Sequence, residues 1–211
     1  STKKKKNKYK LKIIVKGKIV DLYVKNFTKS FINNILACIS ILSALNLDLS
    51  ILKNKFINFK VPDGRGDLSV VKSFKKKFKL IDESYNANPL SMETAIQNVS
   101  FYKIKKNKKK IAFLGDMLEL GKKSKMLHKK LSIVINRSEI DKVFVYGKYI
   151  KETFNFLSNN KKGKIFKSLK EAKEHFSKII NNNDLLMIKG SNATGLNKFS
   201  KNIKRENNSA I

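Results

Sequence analysis

Residues 81–89 read I-D-E-S-Y-N-A-N-P. Two acids, a tyrosine and two asparagines crowd between a short apolar run (Phe78, Leu80, Ile81) and Pro89, which suits the first position of a helix. Asn88 stands where an N-cap belongs. In open α/β sheets, ligands bind at turns of this kind, at the carboxyl ends of strands. A polar loop that only caps a helix accounts for the same residues equally well.

Two further clusters follow apolar runs in the same way. Residues 115–121 read G-D-M-L-E-L-G, and residues 189–192 read K-G-S-N. Each alone is a Gly-punctuated turn with a solvated charge. If the strands are parallel, Asp116 and Lys189 project from the same sheet edge as Glu83, and three polar strand ends on one edge suggest a site assembled across it.

Several chemistries have no residues to carry them. The sequence holds no G-x-x-x-x-G-K-[ST] phosphate loop and no G-x-G-x-x-G fingerprint. Gly64-Arg65-Gly66 is too short to cradle phosphates by backbone alone. The two histidines, His128 and His175, fall in separate helical segments, and no Cys/His metal spacing occurs. His128 is expected to be a helix-surface or packing residue. No nucleophile–base pair can be named, so the residues by themselves describe a binding edge.

The elements that must position these residues follow from periodicity. Residues 9–15 and 19–24 alternate around Lys16-Gly17-Lys18, which predicts a hairpin. Residues 28–45 repeat Phe31, Ile32, Ile35, Leu36, Ile39, Leu42 and Leu45 at helical spacing. Asp48 can cap a short helix burying Leu49, Leu52 and Phe56. A Pro and two Gly within 61–66 mark a boundary. Beyond it, strands at 68–71, 78–81, 111–114, 143–146, 164–166 and 185–188 alternate with helices at 89–102, 123–136, 149–157, 169–181 and 195–204. That order implies βαβ units, hence an α/β fold with a Rossmann-like, mostly parallel sheet and helices on both faces. The charge run 3–10 and the tail from Arg205 are expected to be frayed.

The formal net charge is +31 over 211 residues, yet only Arg65, Arg137 and Arg205 are arginines. Planar recognition of bases and phosphates favours Arg. Lysines spread along the whole chain read first as solvated surface, with a non-catalytic polyanion- or nucleic-acid-binding module as the alternative function. The lone Cys38, placed on the apolar face of its helix, forms no internal disulfide, and a reducing cytoplasm fits. No apolar run approaches a membrane span, and no signal-peptide core follows the basic start.

Taken together, D-E-S-Y-N-A-N-P, then G-D-M-L-E-L-G with Leu127-His128 downstream, then K-G-S resemble the Mur ligases, over essentially the whole chain after Tyr9. Gly64-Arg65-Gly66 and Val145-Tyr146-Gly147-Lys148 also fall where that family has similar residues. The resemblance is to the branch that joins D-Ala-D-Ala to UDP-MurNAc-tripeptide. It implies ATP as cosubstrate, which phosphorylates the tripeptide carboxylate before the D-Ala-D-Ala amine attacks, and Mg2+ held by a central ATPase domain. It implies that residues 1–61 are the hairpin-plus-helix end of that truncated central domain and residues 62–211 the C-terminal Rossmann-like domain. It implies a cytoplasmic monomer with no specific nucleic-acid partner and no membrane span.

Residue by residue, Arg65 matches the boundary Arg that reaches the ATP phosphates, where a cation stabilises charge developing in transfer. Glu83 matches the acid near the ribose, and Tyr85, Asn86 and Asn88 complete that nucleotide-facing loop. Asn34 matches an Asn that contacts adenine. Asp82, Asp116, Lys189 and Ser191 match the substrate side, and none of these residues is a metal ligand. The helix motif departs from the family at Thr28 and Ser30, where a Gly and a His are usual. With no phosphate loop, the chain is expected to be a fragment, a split-gene product or an inactive remnant, without ligation or ATPase activity alone.

Overall fold

The computed structural model describes residues 2–5, 8–25, 29–59 and 61–206. Thr28, which opens the predicted first helix, and residues 207–211 of the tail lie outside the described residues. The chain divides into two units, Ser1–Lys60 and Val61–Ile211.

In the first unit, β1 (Thr2–Lys5), β2 (Lys8–Val15) and β3 (Lys18–Val24) form an antiparallel sheet in that order. The β2–β3 hairpin turns at Lys16-Gly17, and its register sets Leu11 opposite Leu22 and Ile13 opposite Val20. Helix α1 (Lys29–Ala44) packs Ile35 and Ile39 on Leu11, Leu22 and Val24. Asp48 caps the short 3-10 turn Leu49–Leu52, accepting from the Ser50 amide at 2.9 Å. Two expectations are corrected here. The start of the basic run is strand, because Thr2–Lys5 pairs with β2. Leu36, Cys38 and Leu45 are exposed, so the buried stripe of α1 is narrower than its apolar spacing suggests.

The second unit runs β4 (Asp67–Ser73), β5 (Lys76–Glu83), α2 (Pro89–Asn98), β6 (Lys110–Gly115), α3 (Ser124–Asn136), β7 (Lys142–Tyr146), α4 (Ile150–Asn155), β8 (Lys162–Phe166), α5 (Leu169–Ile179), β9 (Leu185–Lys189) and α6 (Leu196–Glu206). Its sheet has the order β4-β5-β9-β6-β7-β8, and only β4 runs antiparallel to its neighbour. The last strand of the chain therefore inserts between β5 and β6.

Side chains alternate along each strand, and both faces are covered, which explains the near-continuous apolar runs. Ala112, Leu114, Val143 and Met187 meet α2, α3 and α4 through Met92, Ile96, Leu131 and Ile150. Ile111, Phe113, Phe144 and Ile188 meet α5 and α6 through Phe176 and Phe199. Phe113 centres that second core, with ring centroids 5.1 Å from Phe176 and 5.2 Å from Phe199. The mixed α/β architecture with helices on both faces is as the sequence predicts. The tail differs: Arg205 and Glu206 belong to α6, and Glu206 pairs with Lys173 at 2.8 Å and with Ser73.

Candidate functional site

Parallel strands in register end together, and here they end on residues that carry chemistry. Glu83 is paired with Lys189, Lys189 with Leu114, and Gly115 with Tyr146. Glu83, Lys189, Asp116 and the Tyr146-Gly147 turn thus stand along one edge.

At the β5 end a strap is laid across the strand. The Gly66 amide donates to the Asp82 carbonyl at 2.7 Å, and the Tyr85 amide to the Gly64 carbonyl at 3.0 Å. These bonds extend the β4–β5 ladder, which pairs Asp67 with Asp82. Gly66 holds φ +92°, and a Cβ there would stand 2.8 Å from Glu83 Oε1. Only glycine lets the strap pass so close to that carboxylate. The strap presents Arg65, whose guanidinium lies 4.1 Å from the centre of the Tyr85 ring, a cation–π contact between two exposed side chains.

Behind this rim lies a buried ammonium. Lys189 is 2% exposed, with Nζ 3.4 Å from Glu83 Oε2 and 3.0 Å from the Asn86 carbonyl. Burial pushes the Glu83 carboxyl above its usual range, although the Lys189 charge opposes the shift. Burial likewise lowers Lys189, with Glu83 opposing. Both groups are drawn toward neutrality because each gives up more hydration than the other returns. The bond to the Asn86 carbonyl ties the 84–88 loop to β9.

Three other residues singled out from the sequence direct their polar atoms into the fold, and a fourth caps a helix at its surface. Asp82 is buried; its Oδ1 accepts from the Ser84 amide and hydroxyl, and its Oδ2 takes Lys204 at 2.8 Å, which also pairs with Asp67. Burial pushes its pKa up, but Lys204 and Ser84 outweigh that and hold it below the usual carboxylate range. Asp116 is 6% exposed, and its carboxylate accepts the Lys148, Tyr149 and Ile150 amides at 2.8, 2.9 and 2.7 Å. Gly147, at φ +145°, makes room for it, since a Cβ there would lie 2.5 Å from the Asp116 carboxyl carbon. Ser191 accepts from the Leu118 amide at 3.0 Å, and its hydroxyl reaches the Ala87 carbonyl at 3.3 Å. Asn88 forms a capping box with Ser91 at the start of α2. These groups set the loops of the edge, whereas Arg65, Tyr85 and Asn86 remain exposed upon it. Asn34 belongs to the first unit, exposed on α1.

Two features of the edge go beyond the sequence reading, which expected His128 to be a helix-surface or packing residue and named no cleft. His128 is fully buried: Nε2 accepts the Met117 amide at 2.9 Å, so Nδ1 carries the proton and donates to the Ser124 carbonyl at 2.8 Å. It holds the G-D-M-L-E-L-G loop against α3, and its place eleven residues after Met117 was the available signal. The second feature is a cleft of about 700 Å³ beyond Asp116, walled by Tyr146, Phe166 and Thr194 and ringed by Lys148, Lys151 and Lys167. Lys148 and Lys167 come from two loops and Lys151 from α4; Lys148 closes the Val145–Lys148 stretch noted in the sequence, and nothing local marks out the other two.

The exposed guanidinium and aromatic ring, with a carboxylate beside them, fit the phosphates, base and ribose hydroxyls of a nucleotide. Among the described residues, no three His, Cys, Asp or Glu side chains gather to hold a metal ion. Among the described residues, no helix is long and apolar enough to cross a membrane.

Comparisons with known proteins bear on this edge. Residues 68–192 match the family model "Mur ligase, glutamate ligase domain". The UDP-N-acetylmuramoyl-tripeptide–D-alanyl-D-alanine ligase of Rickettsia prowazekii is 28% identical over 189 residues, which is 90% of this chain and 40% of that protein. The enzyme of the same name from Buchnera aphidicola is 36% identical over 124 residues, or 57% of this chain and 25% of that one. The chain thus spans well under half the length of these curated relatives. Among solved structures, the MurF ligase of Thermotoga maritima in complex with ADP superposes with TM-score 0.76 at 18% identity, covering 100% of this chain and 46% of that one. MurF of Acinetobacter baumannii gives TM-score 0.76 at 18% identity, covering 94% and 42%.

Proposed function

The chain belongs to the Mur ligase family, and on that footing we propose that it is the nucleotide- and acceptor-facing part of an ATP-dependent ligase that joins D-Ala-D-Ala to UDP-MurNAc-tripeptide in peptidoglycan precursor synthesis. The observation that carries the reading is the single sheet edge on which Arg65, Tyr85 and Glu83 stand together over the buried Lys189. In this reading Tyr85 and Asn86 receive the nucleotide, Glu83 accepts its ribose hydroxyls, and Arg65 neutralises the phosphate being transferred. Lys189, Ser191, Asp82 and Asp116 act from behind, fixing the loops that face the ligands. The lysine-ringed cleft beyond Asp116 takes the anionic end of the peptide acceptor. The first unit is the end of the central ATPase domain, and Asn34 its adenine contact. Magnesium and the triphosphate are held by a phosphate-loop part that this sequence does not contain. The ligase works in the cytoplasm and serves cell-wall growth and division.

The test is complementation in vitro. The 211-residue chain is assayed for ATP-dependent amide formation with UDP-MurNAc-tripeptide and D-Ala-D-Ala, alone and fused behind the preceding portion of the Rickettsia relative. No turnover alone and restored turnover in the fusion are expected. A folded fusion that binds ATP yet forms no amide overturns the reading, as does robust ligation by the chain alone.

A further inference from the structure

The pole of the second unit's sheet opposite the candidate site has a chemistry of its own. Residues 72–81 hold five lysines and no acid, and residues 94–115 hold six lysines and no acid until Asp116. The fold brings these two runs to one end of the sheet by bonding both to the turn before β9. The Asn183 amide donates to the Lys77 carbonyl at 2.8 Å, and the Lys77 amide to Asn182 Oδ1 at 2.7 Å. The Lys109 amide donates to Asp184 Oδ1 at 3.0 Å, and the Leu185 amide to the Lys109 carbonyl at 2.9 Å.

The acids nearby are already engaged. Asp184 is buried and spends its carboxylate on the Lys109 and Asn181 amides, and Glu139 takes Lys110. Among the described residues, Lys75, Lys76, Lys77, Lys103, Lys105 and Lys106 enter no ion pair. The tip of the β4–β5 hairpin is fixed, with Phe74 and Lys75 both at positive φ and the Phe74 ring stacked on Phe78 at 6.3 Å. Beside it is a hollow of about 590 Å³ lined by Phe74, Lys75, Lys76, Lys77, Asn182 and Glu206, the last already paired with Lys173 and Ser73. At the head of the second run stands Phe101, 71% exposed.

We propose that this lysine pole is a docking surface for an anionic lipid bilayer. A lysine ammonium is a compact point charge with no required orientation, which suits a diffuse plane of negative headgroups. Neither run contains an arginine, the residue that planar recognition of bases and phosphates favours. An exposed phenylalanine among the lysines supplies an apolar contact at headgroup depth. Docking by this pole leaves the opposite edge of the sheet, with Arg65 and Tyr85, facing away from the bilayer. The inference goes beyond the ligase reading, which stands whatever its outcome.

Co-sedimentation of the 211-residue chain with vesicles tests it. Binding is expected to phosphatidylcholine vesicles containing about one third phosphatidylglycerol at ~0.1 M salt, with none to phosphatidylcholine alone, and it is lost by ~0.5 M salt as the charges are screened. The variant K75E/K77E/K105E/K106E is expected to lower partitioning by about tenfold or more, and the equally recharged K122E/K125E/K130E/K170E to stay within about twofold of the parent. Circular dichroism confirms that both variants fold. Equal losses in the two variants overturn the proposal, because the attraction would then belong to the net charge and not to the pole. Tighter binding of a polyuridylate RNA than of the anionic vesicles at ~0.15 M salt, abolished by the first variant alone, also overturns it and makes the pole a nucleic-acid surface.

Discussion

Lys189 and Glu83 are register partners on adjacent parallel strands, 106 residues apart in sequence, with Nζ 3.4 Å from Oε2 and the ammonium closed off from solvent. The pair stands at the join between β5 and the inserted β9, and the same ammonium carries the Asn86 carbonyl. It therefore couples the order of the nucleotide-facing loop to the integrity of the sheet edge.

Removing one partner should cost more than removing both. K189M leaves the Glu83 carboxylate beside an apolar chain, and roughly 3 kcal/mol of stability should be lost at neutral pH. E83Q/K189M should recover part of that loss. Urea unfolding of the two singles and the double variant measures the coupling, and additive losses would show that the two groups do not interact.

Asp116 is expected to be a stability residue whose loss also reshapes the cleft. D116A strands three backbone amides and should cost roughly 2–3 kcal/mol, with D116N costing less because one oxygen acceptor remains. G147A should mimic D116A, since its Cβ displaces the same carboxylate. Thermal unfolding ranks the three, and a neutral G147A would contradict this packing.

His128 should make stability depend on pH. Burial lowers its pKa below the ordinary imidazole range, against weaker opposing effects of the Ser124 carbonyl, Asp116 and Glu152. A depressed folded-state pKa means that its contribution is present above the unfolded pKa of ~6.5 and is lost as pH falls through the folded value. His175 is shifted the same way, chiefly by burial, and adds to the slope. Melting temperature between pH 7.5 and 5 should therefore fall more steeply for the parent than for H128Q, which starts lower and runs flatter. Parallel curves would remove His128 from this role.

Arg65 should matter to turnover and little to folding, because it is exposed and its guanidinium lies over the exposed Tyr85 ring. In the fused ligase, R65A is expected to lower kcat by on the order of 10²-fold or more, with R65K intermediate. Phosphate release at saturating ATP reads this directly, and a melting temperature within a degree or so of the parent keeps the comparison clean.

Much of the second unit was legible from local pattern. Apolar runs such as 111–114 and 185–188, each closing on polar residues and followed by a helical repeat, are enough to imply parallel strands covered on both faces. The capping of α2 by Asn88 and Pro89 is similarly local. The start of the first unit was less legible, because a run of lysines pairs as strand Thr2–Lys5 through backbone bonds that composition does not reveal.

The sequence by itself determined the periodicities, the motifs of the edge and the family to which they belong, since each rests on residues a few positions apart. Only the tertiary structure decided that β9 lies between β5 and β6, which sets Lys189 in register with Glu83 on one side and with Leu114 on the other. It also decided that Asp82 and Asp116 turn inward to Lys204 and to the amides at the start of α4, while Arg65 and Tyr85 face out. The physical reason is that strand order and side-chain satisfaction are settled between segments far apart in the chain. A buried carboxylate turns toward whichever donors the packing of distant elements brings within reach.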